Sequence, residues 1–298
     1  MENKPRRVSY QKISTGSIRR IFLSILFVSL LFTSRIPVVL AKEPVQLYEP
    51  PRLFIIPVAD TLKAFDINAS GATTWETGRV SFLGTGFLGL GDVAQVELSS
   101  LRTFSTQNGD FEELSSTPAA GVKLALPLEE HSRLLPNIAV SYHRSFGEEN
   151  EFQPYKQQLA DLYLMASKSF FSKGEGWRGF RLHAGADYFG ARFETNQTVE
   201  TKGFWRPFGG IEIWASRYAK LMAEVEWFPR INVDAQPAIA EEPLWMTVAG
   251  VRIFITRFIT ADVGVRYQQD FDTIADAKLE GKVGLAIPTH LLLGRKRD

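Results

Sequence analysis

The sequence has no cysteine, only four histidines and only four methionines. Without thiols there can be no disulfide, no thiolate metal ligand, no thiol nucleophile and no lipid anchor on cysteine. The histidines are His131, His143, His183 and His290. They form no H-E-x-x-H and no paired metal-ligand spacing, and G-x-S-x-G is absent as well. Long apolar runs are also missing. The longest, Ile21 to Thr33, falls short of the roughly 20 residues that a spanning helix needs. Charge of one sign is lacking too: the formal net charge is +1, with no basic patch of the kind that binds nucleic acid.

What is present begins with a targeting segment. Lys4, Arg6, Arg7, Lys12, Arg19 and Arg20 form a basic region ahead of the apolar run, and Val39-Leu40-Ala41 suits a signal peptidase. Cleavage before Lys42 is expected, which makes residues 1–41 a signal peptide. Arg19-Arg20 can be read as a twin-arginine signal. The ordinary basic region is preferred, because membrane barrels cross the inner membrane unfolded. These 41 residues carry seven Lys/Arg and one acid, so the mature chain is mildly acidic.

Mean hydropathy is −0.08, with 45% hydrophobic and 22% charged residues. A helical membrane protein would be far more apolar. Strands with one face in lipid and one in a polar lumen average to such a value. The clearest stretch is Leu244 to Gln269. Trp245, Thr247, Ala249, Val251, Ile253 and Ile255 alternate with Met246, Val248, Gly250, Arg252, Phe254 and Thr256. After Arg257, Ile259, Ala261, Val263, Val265 and Tyr267 alternate with Thr260, Asp262, Gly264, Arg266 and Gln268. Period two means strand, and one face is apolar throughout. A three-residue loop, Thr256 to Phe258, matches the apolar faces. It sets Ile255 against Ile259, Gly250 against Gly264 and Arg252 against Asp262. Any register mixing the faces is forbidden in a one-sided lipid environment.

Residues 42–62 are rich in proline (Pro44, Pro50, Pro51, Pro57) and cannot be helix or central strand. They read as an extended periplasmic lead-in, with Leu53 to Ile56 at the base of a barrel. From residue 63 to 288, about twelve strand segments follow: 63–71, 79–88, 93–103, 118–127, 136–146, 159–171, 178–190, 205–216, 220–229, 244–256, 258–268 and 278–287. Connections after even-numbered segments are short. Those at 104–117, 147–158, 191–204 and 230–243 are long and polar. Short turns and long loops alternate in outer-membrane barrels, which puts the turns and both termini in the periplasm. Aromatics such as Trp227, Trp245, Phe170, Trp177 and Phe180 sit where interfacial girdles belong. A basic tail, residues 289–298, follows Pro288 in place of a terminal aromatic. The competing reading is a soluble β-sandwich, and a segment such as Val251 to Ile255 has too few charges for a solvated second face.

Strand parity sends one set of polar residues inward: Glu97, Lys123, His143, Asp161, Arg181, His183, Asp187, Glu212, Glu224, Glu226, Arg252, Asp262, Arg266 and Lys282. Two uses are open: a transverse field in a pore that orients small polar solutes, or a salt-bridged network that closes a narrow lumen. Ser141, His143, His183 and Asp187 suggest a hydrolytic set, but lumen-facing groups cannot reach lipid on the outer wall. Gly84 to Gly89 spells G-x-G-x-x-G inside an alternating segment that runs on into another strand, so no cofactor site is expected. The sequons at Asn68 and Asn196 are taken as chance. No catalytic residue, metal or cofactor is assigned.

The whole mature chain resembles uncharacterised bacterial outer-membrane β-barrel proteins. The features that carry the resemblance are the signal segment, the proline-rich stretch before Ala59-Asp60-Thr61-Leu62, and strands such as Asp262 to Tyr267. It implies an all-β fold, an antiparallel up-and-down transmembrane barrel, in the outer membrane of a Gram-negative cell. The partners it implies are the lipid bilayer and the outer-membrane assembly machinery, with no nucleic acid. The expected function is a monomeric channel for small polar solutes. A non-conducting structural or envelope-assembly barrel is the alternative, and an outer-membrane hydrolase the third.

Overall fold

The computed structural model describes residues 47–289, apart from 77–78, 108–110, 150–154, 171–178, 196–198, 229, 233–237 and 240–242. The signal segment and its cleavage site, residues 290–298 of the basic tail with His290, Trp177 and Asn196 lie outside the described residues.

Twelve long strands form one antiparallel barrel. They are β1 (Ile67–Glu76), β2 (Arg79–Gly89), β3 (Ala94–Gln107), β4 (Phe111–Leu126), β5 (Asn137–Ser145) and β6 (Tyr155–Phe170). They continue with β7 (Phe180–Thr195), β8 (Val199–Ser216), β9 (Ala219–Phe228), β10 (Leu244–Phe254), β11 (Ile259–Gln268) and β12 (Lys278–Ile287). Each strand pairs with its sequence neighbour, and β1 pairs with β12, so the sheet closes on itself. A four-residue helix, α1 (Leu128–His131), caps the β4–β5 turn.

Period-two patterning explains the two faces. In β11 every second residue, from Thr260 to Gln268, is buried. In β9 the buried set is Lys220, Met222, Glu224, Glu226 and Phe228. The other face is apolar and bare: Leu98, Val122, Leu124, Leu164, Trp205, Leu221, Ile255 and Val283 are 50–63% exposed. A wall of this kind is stable against lipid rather than water. Paired rings mark both rims: Trp245 with Tyr267 (5.8 Å) and Tyr188 with Trp205 (5.3 Å) at one, Trp214 with Phe254 (5.6 Å) and Phe170 with Phe180 (5.0 Å) at the other. Amphipathic rings favour the headgroup level.

The β10–β11 register is the one that face matching demands. Arg252 lies opposite Asp262, Gly250 opposite Gly264, and Ile255 donates its N–H to Ile259 at 3.0 Å.

Three expectations change. The first strand runs from 67 to 76 rather than 63 to 71, because Lys63 to Asp66 form a tight turn. Phe65 has φ 61° there and donates its N–H to Gly89. The stretches 104–117 and 191–204, expected as long loops, are mostly strand, because β3–β4 and β7–β8 extend as hairpins well past a bilayer-length segment. Polar, glycine-bearing sequence signals exposure to water, and a ladder already formed in the wall continues there without penalty. Finally, the proline-rich segment expected at the barrel base lies inside the lumen.

Candidate functional site

Residues 48–66 form a re-entrant plug. The segment starts beside the β10–β11 turn, where Tyr48 N–H donates to Arg257 at 3.0 Å. It rises into the barrel, reverses at Leu53–Ile56, and returns to the base before β1. The reversal is a turn: Leu53 N–H donates to Ile56 O (3.0 Å), and Arg52 bridges Pro57 in antiparallel fashion. Leu53 and Ile56 are fully buried, and Phe54, Val58 and Ala59 nearly so. They pack on inward residues of the wall: Ala125, Ala139, Tyr163, Met165, Phe208, Met222 and Val248. Phe54 occupies the space above the Gly250–Gly264 pair, where a Cβ on either glycine would come within 2.9 Å of its ring.

A chain inside a lumen has no ladder, so its backbone groups need other partners. Pro50, Pro51 and Pro57 bring no N–H at all, which reduces the demand. The wall supplies the rest through the polar residues picked out by parity. Glu224 Oε2 accepts from Phe54 N–H (3.1 Å) and Ile56 N–H (3.3 Å). Arg252 donates to Arg52 O (2.9 Å) and Leu53 O (3.2 Å), and Lys282 donates to Leu53 O at 2.5 Å. Lys123 donates to Val58 O at 3.2 Å. Ser167 Oγ accepts from Ala59 N–H at 2.9 Å, and Gln95 Oε1 from Leu62 N–H at 3.0 Å. Ion pairs add to this: Arg52 with Glu97 (3.5 Å) and Lys220 with Glu49 (2.5 Å).

At the base, Arg181 grips Asp60 with both guanidinium arms, one at 2.7 Å, and Asn137 donates to the same carboxylate at 3.0 Å. Burial pushes the Asp60 carboxyl up, but the Arg181 charge and the hydrogen bonds from Arg181 and Asn137 outweigh it and hold it below its ordinary value of 3.8. A carboxyl depressed in the folded state stabilises fully above its unfolded pKa, and that contribution is lost as pH falls through the folded one. The stability lost between pH 5 and pH 2 is therefore expected to be smaller in Asp60→Asn than in the parent, in urea unfolding of the refolded barrel. Equal acid losses would show that the pair is solvated. Because the carboxylate is 35% exposed, the difference is small.

Of the fourteen residues that parity sends inward, thirteen are buried and Arg181 is half-buried. Two groups stand out among them. Glu97, Lys123, Arg181, Glu224, Arg252 and Lys282 hold the plug directly. Higher in the barrel, Arg206 gathers Asp187, Asp161 (3.2 Å) and Glu226 (3.8 Å), while Tyr163 donates to Glu226 at 3.1 Å. The Arg206 guanidinium lies over Phe189 (5.1 Å) and Phe228 (5.3 Å). Arg206 and Lys220 share the inward parity and were findable from it. Glu49, Arg52 and Asp60 were not, because a plug has no parity to read.

The hydrolytic set does not assemble as expected. Ser141 Oγ lies 3.3 Å from His143 Nε2, but the same nitrogen faces Glu97 at 2.5 Å, and Asp187 belongs to Arg206. A different trio does form: Ser167 Oγ is 2.8 Å from His183 Nδ1, and His183 Nε2 is 3.0 Å from Glu212. Ser167 is 1% exposed beneath the plug and accepts the Ala59 N–H. A serine so covered cannot meet a substrate carbonyl. Among the described residues no group of carboxylates and histidines is arranged to hold a metal ion.

No protein-family model matches the sequence, and no curated protein matches it. Among solved structures, the chain is similar to the translocator domain of the autotransporter NalP from Neisseria meningitidis (11% identity, TM-score 0.38, covering 74% of this chain and 85% of that one). It is also similar to Omp33 from Acinetobacter baumannii (8% identity, TM-score 0.37, 77% and 99%). A third is the N-terminal barrel of OprF from Pseudomonas aeruginosa (9% identity, TM-score 0.25, 76% and 100%). At these identities and scores the likeness carries no argument about function.

Proposed function

We propose that the protein is an outer-membrane β-barrel whose lumen is closed at rest by its own N-terminal segment. The reading rests on one observation: the polar lining that could serve a pore is spent on the backbone of residues 52–62 and on internal ion pairs. Lipid is its solvent, given the bare apolar wall between two aromatic rims. Export and insertion would use the signal segment and the outer-membrane assembly machinery. Such a barrel is a structural or assembly element rather than an open porin.

One observation favours a second reading, a channel for small polar solutes opened by withdrawal of the plug. Among the described residues, 49–62 are held by side chains and apolar contacts and make no backbone hydrogen bond to a strand of the wall, so this part can leave without breaking the barrel. Planar-bilayer recording from the refolded mature chain separates resting states. A silent baseline is expected. Frequent, stable current steps from the intact chain would overturn the closed reading in favour of the open channel.

A further inference from the structure

The lower lumen is plugged, and the outer mouth is crossed. Arg230–Asn232, which follow β9, pair in parallel with Phe104–Thr106 of β3, on the opposite side of the ring. Between β2 and β3, however, the wall is open. β2 pairs with β1 from Arg79 to Leu88, but with β3 only where Gly86–Gly89 meet Gln95–Leu98. From Thr85 outward, about 20 Å of β2 at ~3.3 Å per residue has no strand on that side among the described residues. β3 stays paired with β4 up to Gln107, so the β3–β4 hairpin has left the cylinder and leans across the mouth.

Free strand edges at membrane depth leave backbone N–H and C=O groups without partners. They are tolerated only where protein or a polar cavity backs them. A narrow cavity of about 30 Å³, room for a group of a few atoms, does so here. It runs from Phe54 at the plug tip to Leu83 and Thr85 on β2 and to Ser100, Leu101 and Arg102 on β3. Consecutive β3 residues of both parities line one space, which happens only where a strand turns its edge to it. Arg102 is 9% exposed, and among the described residues its Nη1 has no hydrogen-bond partner; the Ser100 hydroxyl has none either. This guanidinium arm and the Ser100 hydroxyl line the space with Arg52, Arg206 and Lys282 against one carboxylate, Asp161, a balance of charge that suits an anion. Just outside, Leu98 is 56% exposed on the apolar wall.

We propose that this cavity binds an acyl-chain amphiphile with an anionic headgroup, carboxylate or phosphate, admitted from the lipid through the β2–β3 seam. The headgroup sits on Arg102 and the hydroxyl of Ser100, and the chain passes outward beside Leu83. The inference rests on the closed lumen, since an axially open pore would admit free solutes to the same cavity. Bilayer recording tests that premise separately.

The test uses the refolded mature chain in detergent with a fluorescent polyene fatty acid as probe. Lysophosphatidic acid, a monoacylglycerol and inorganic phosphate serve as competitors. Saturable binding is expected, with displacement by lysophosphatidic acid. The monoacylglycerol should compete about tenfold more weakly, and phosphate not at all. The tighter of the two anionic lipids assigns the headgroup. Arg102→Ala should weaken binding about tenfold and Arg102→Lys much less, each in a barrel that keeps its heat-sensitive gel mobility. If Arg102→Ala misfolds, Arg102→Gln takes its place. Unchanged binding in a folded variant, or displacement by phosphate, overturns the site.

The absence of native cysteine gives a second arm. Were the wall closed, the β2–β3 register would continue with Thr85 opposite Ser99, close enough to bond. In Thr85→Cys/Ser99→Cys the seam predicts no disulfide, or one that abolishes probe binding. Complete crosslinking with binding intact overturns lateral entry.

Discussion

Deleting residues 48–60 is expected to turn a silent barrel into a conducting one. The plug fills the lower lumen with Leu53, Phe54, Ile56, Val58 and Ala59, none more than 6% exposed. Its removal frees Glu224, Arg252, Lys123 and Lys282 from backbone groups and lets water reach them. The twelve strands keep their ladders, because β1 begins only at Ile67 and closes on β12 without help from the plug. Clear current steps in planar bilayers are the expected readout, against a flat baseline for the intact chain. A folded deletion variant that stays silent would mean that the β3–β4 hairpin alone closes the lumen. A graded version is Glu224→Leu, which strips the acceptor from the N–H groups of Phe54 and Ile56. Each buried donor left unmet costs about 1–3 kcal/mol, so brief openings are expected rather than a steady pore.

Arg252→Ala is expected to cost the barrel about 3–5 kcal/mol. Its guanidinium takes both oxygens of Asp262 at 2.9 Å and the carbonyls of Arg52 and Leu53. The side chain is 1% exposed and that of Asp262 is fully buried. Truncation leaves a buried carboxylate that keeps Lys282, at 3.5 Å, and removes one anchor of the plug. Removing both charges should cost less than removing one, since a buried pair is worth little against apolar residues. Arg252→Ala/Asp262→Leu should therefore regain part of the loss in urea unfolding of the refolded barrel. A loss below about 1 kcal/mol for the single variant would mean that water already solvates this level of the lumen.

Much of the architecture was readable because strand structure is local. In Leu244 to Gln269 a side chain's face follows from its parity, and the short turn fixes the partner strand. The same rule sent Glu97, Lys123, Asp161, Arg252 and Asp262 inward before any contact was known. It failed at Arg102, which has outward parity yet is buried, because β3 leaves the wall above Leu98 and its neighbours no longer follow the pleat. It failed again at 104–117 and 191–204, where polar composition suggested loops although hairpins continue into water.

The plug marks the boundary between what the chain spells out and what folding adds. The amino-acid sequence alone determined the strands, their faces, the charges that a lumen would contain, and the inability of residues 50–57 to be helix or inner strand. Only the tertiary structure decided what those charges do. The acceptor for Phe54 and Ile56 lies about 170 positions away, and the donor to Leu53 lies 229 away. No periodicity encodes such pairings, because they depend on one segment threading a cylinder that exists only after all twelve strands have closed. An apolar, proline-rich stretch beside a charged lumen is ambiguous as text. Backbone groups that must be satisfied where no ladder reaches them make it a plug.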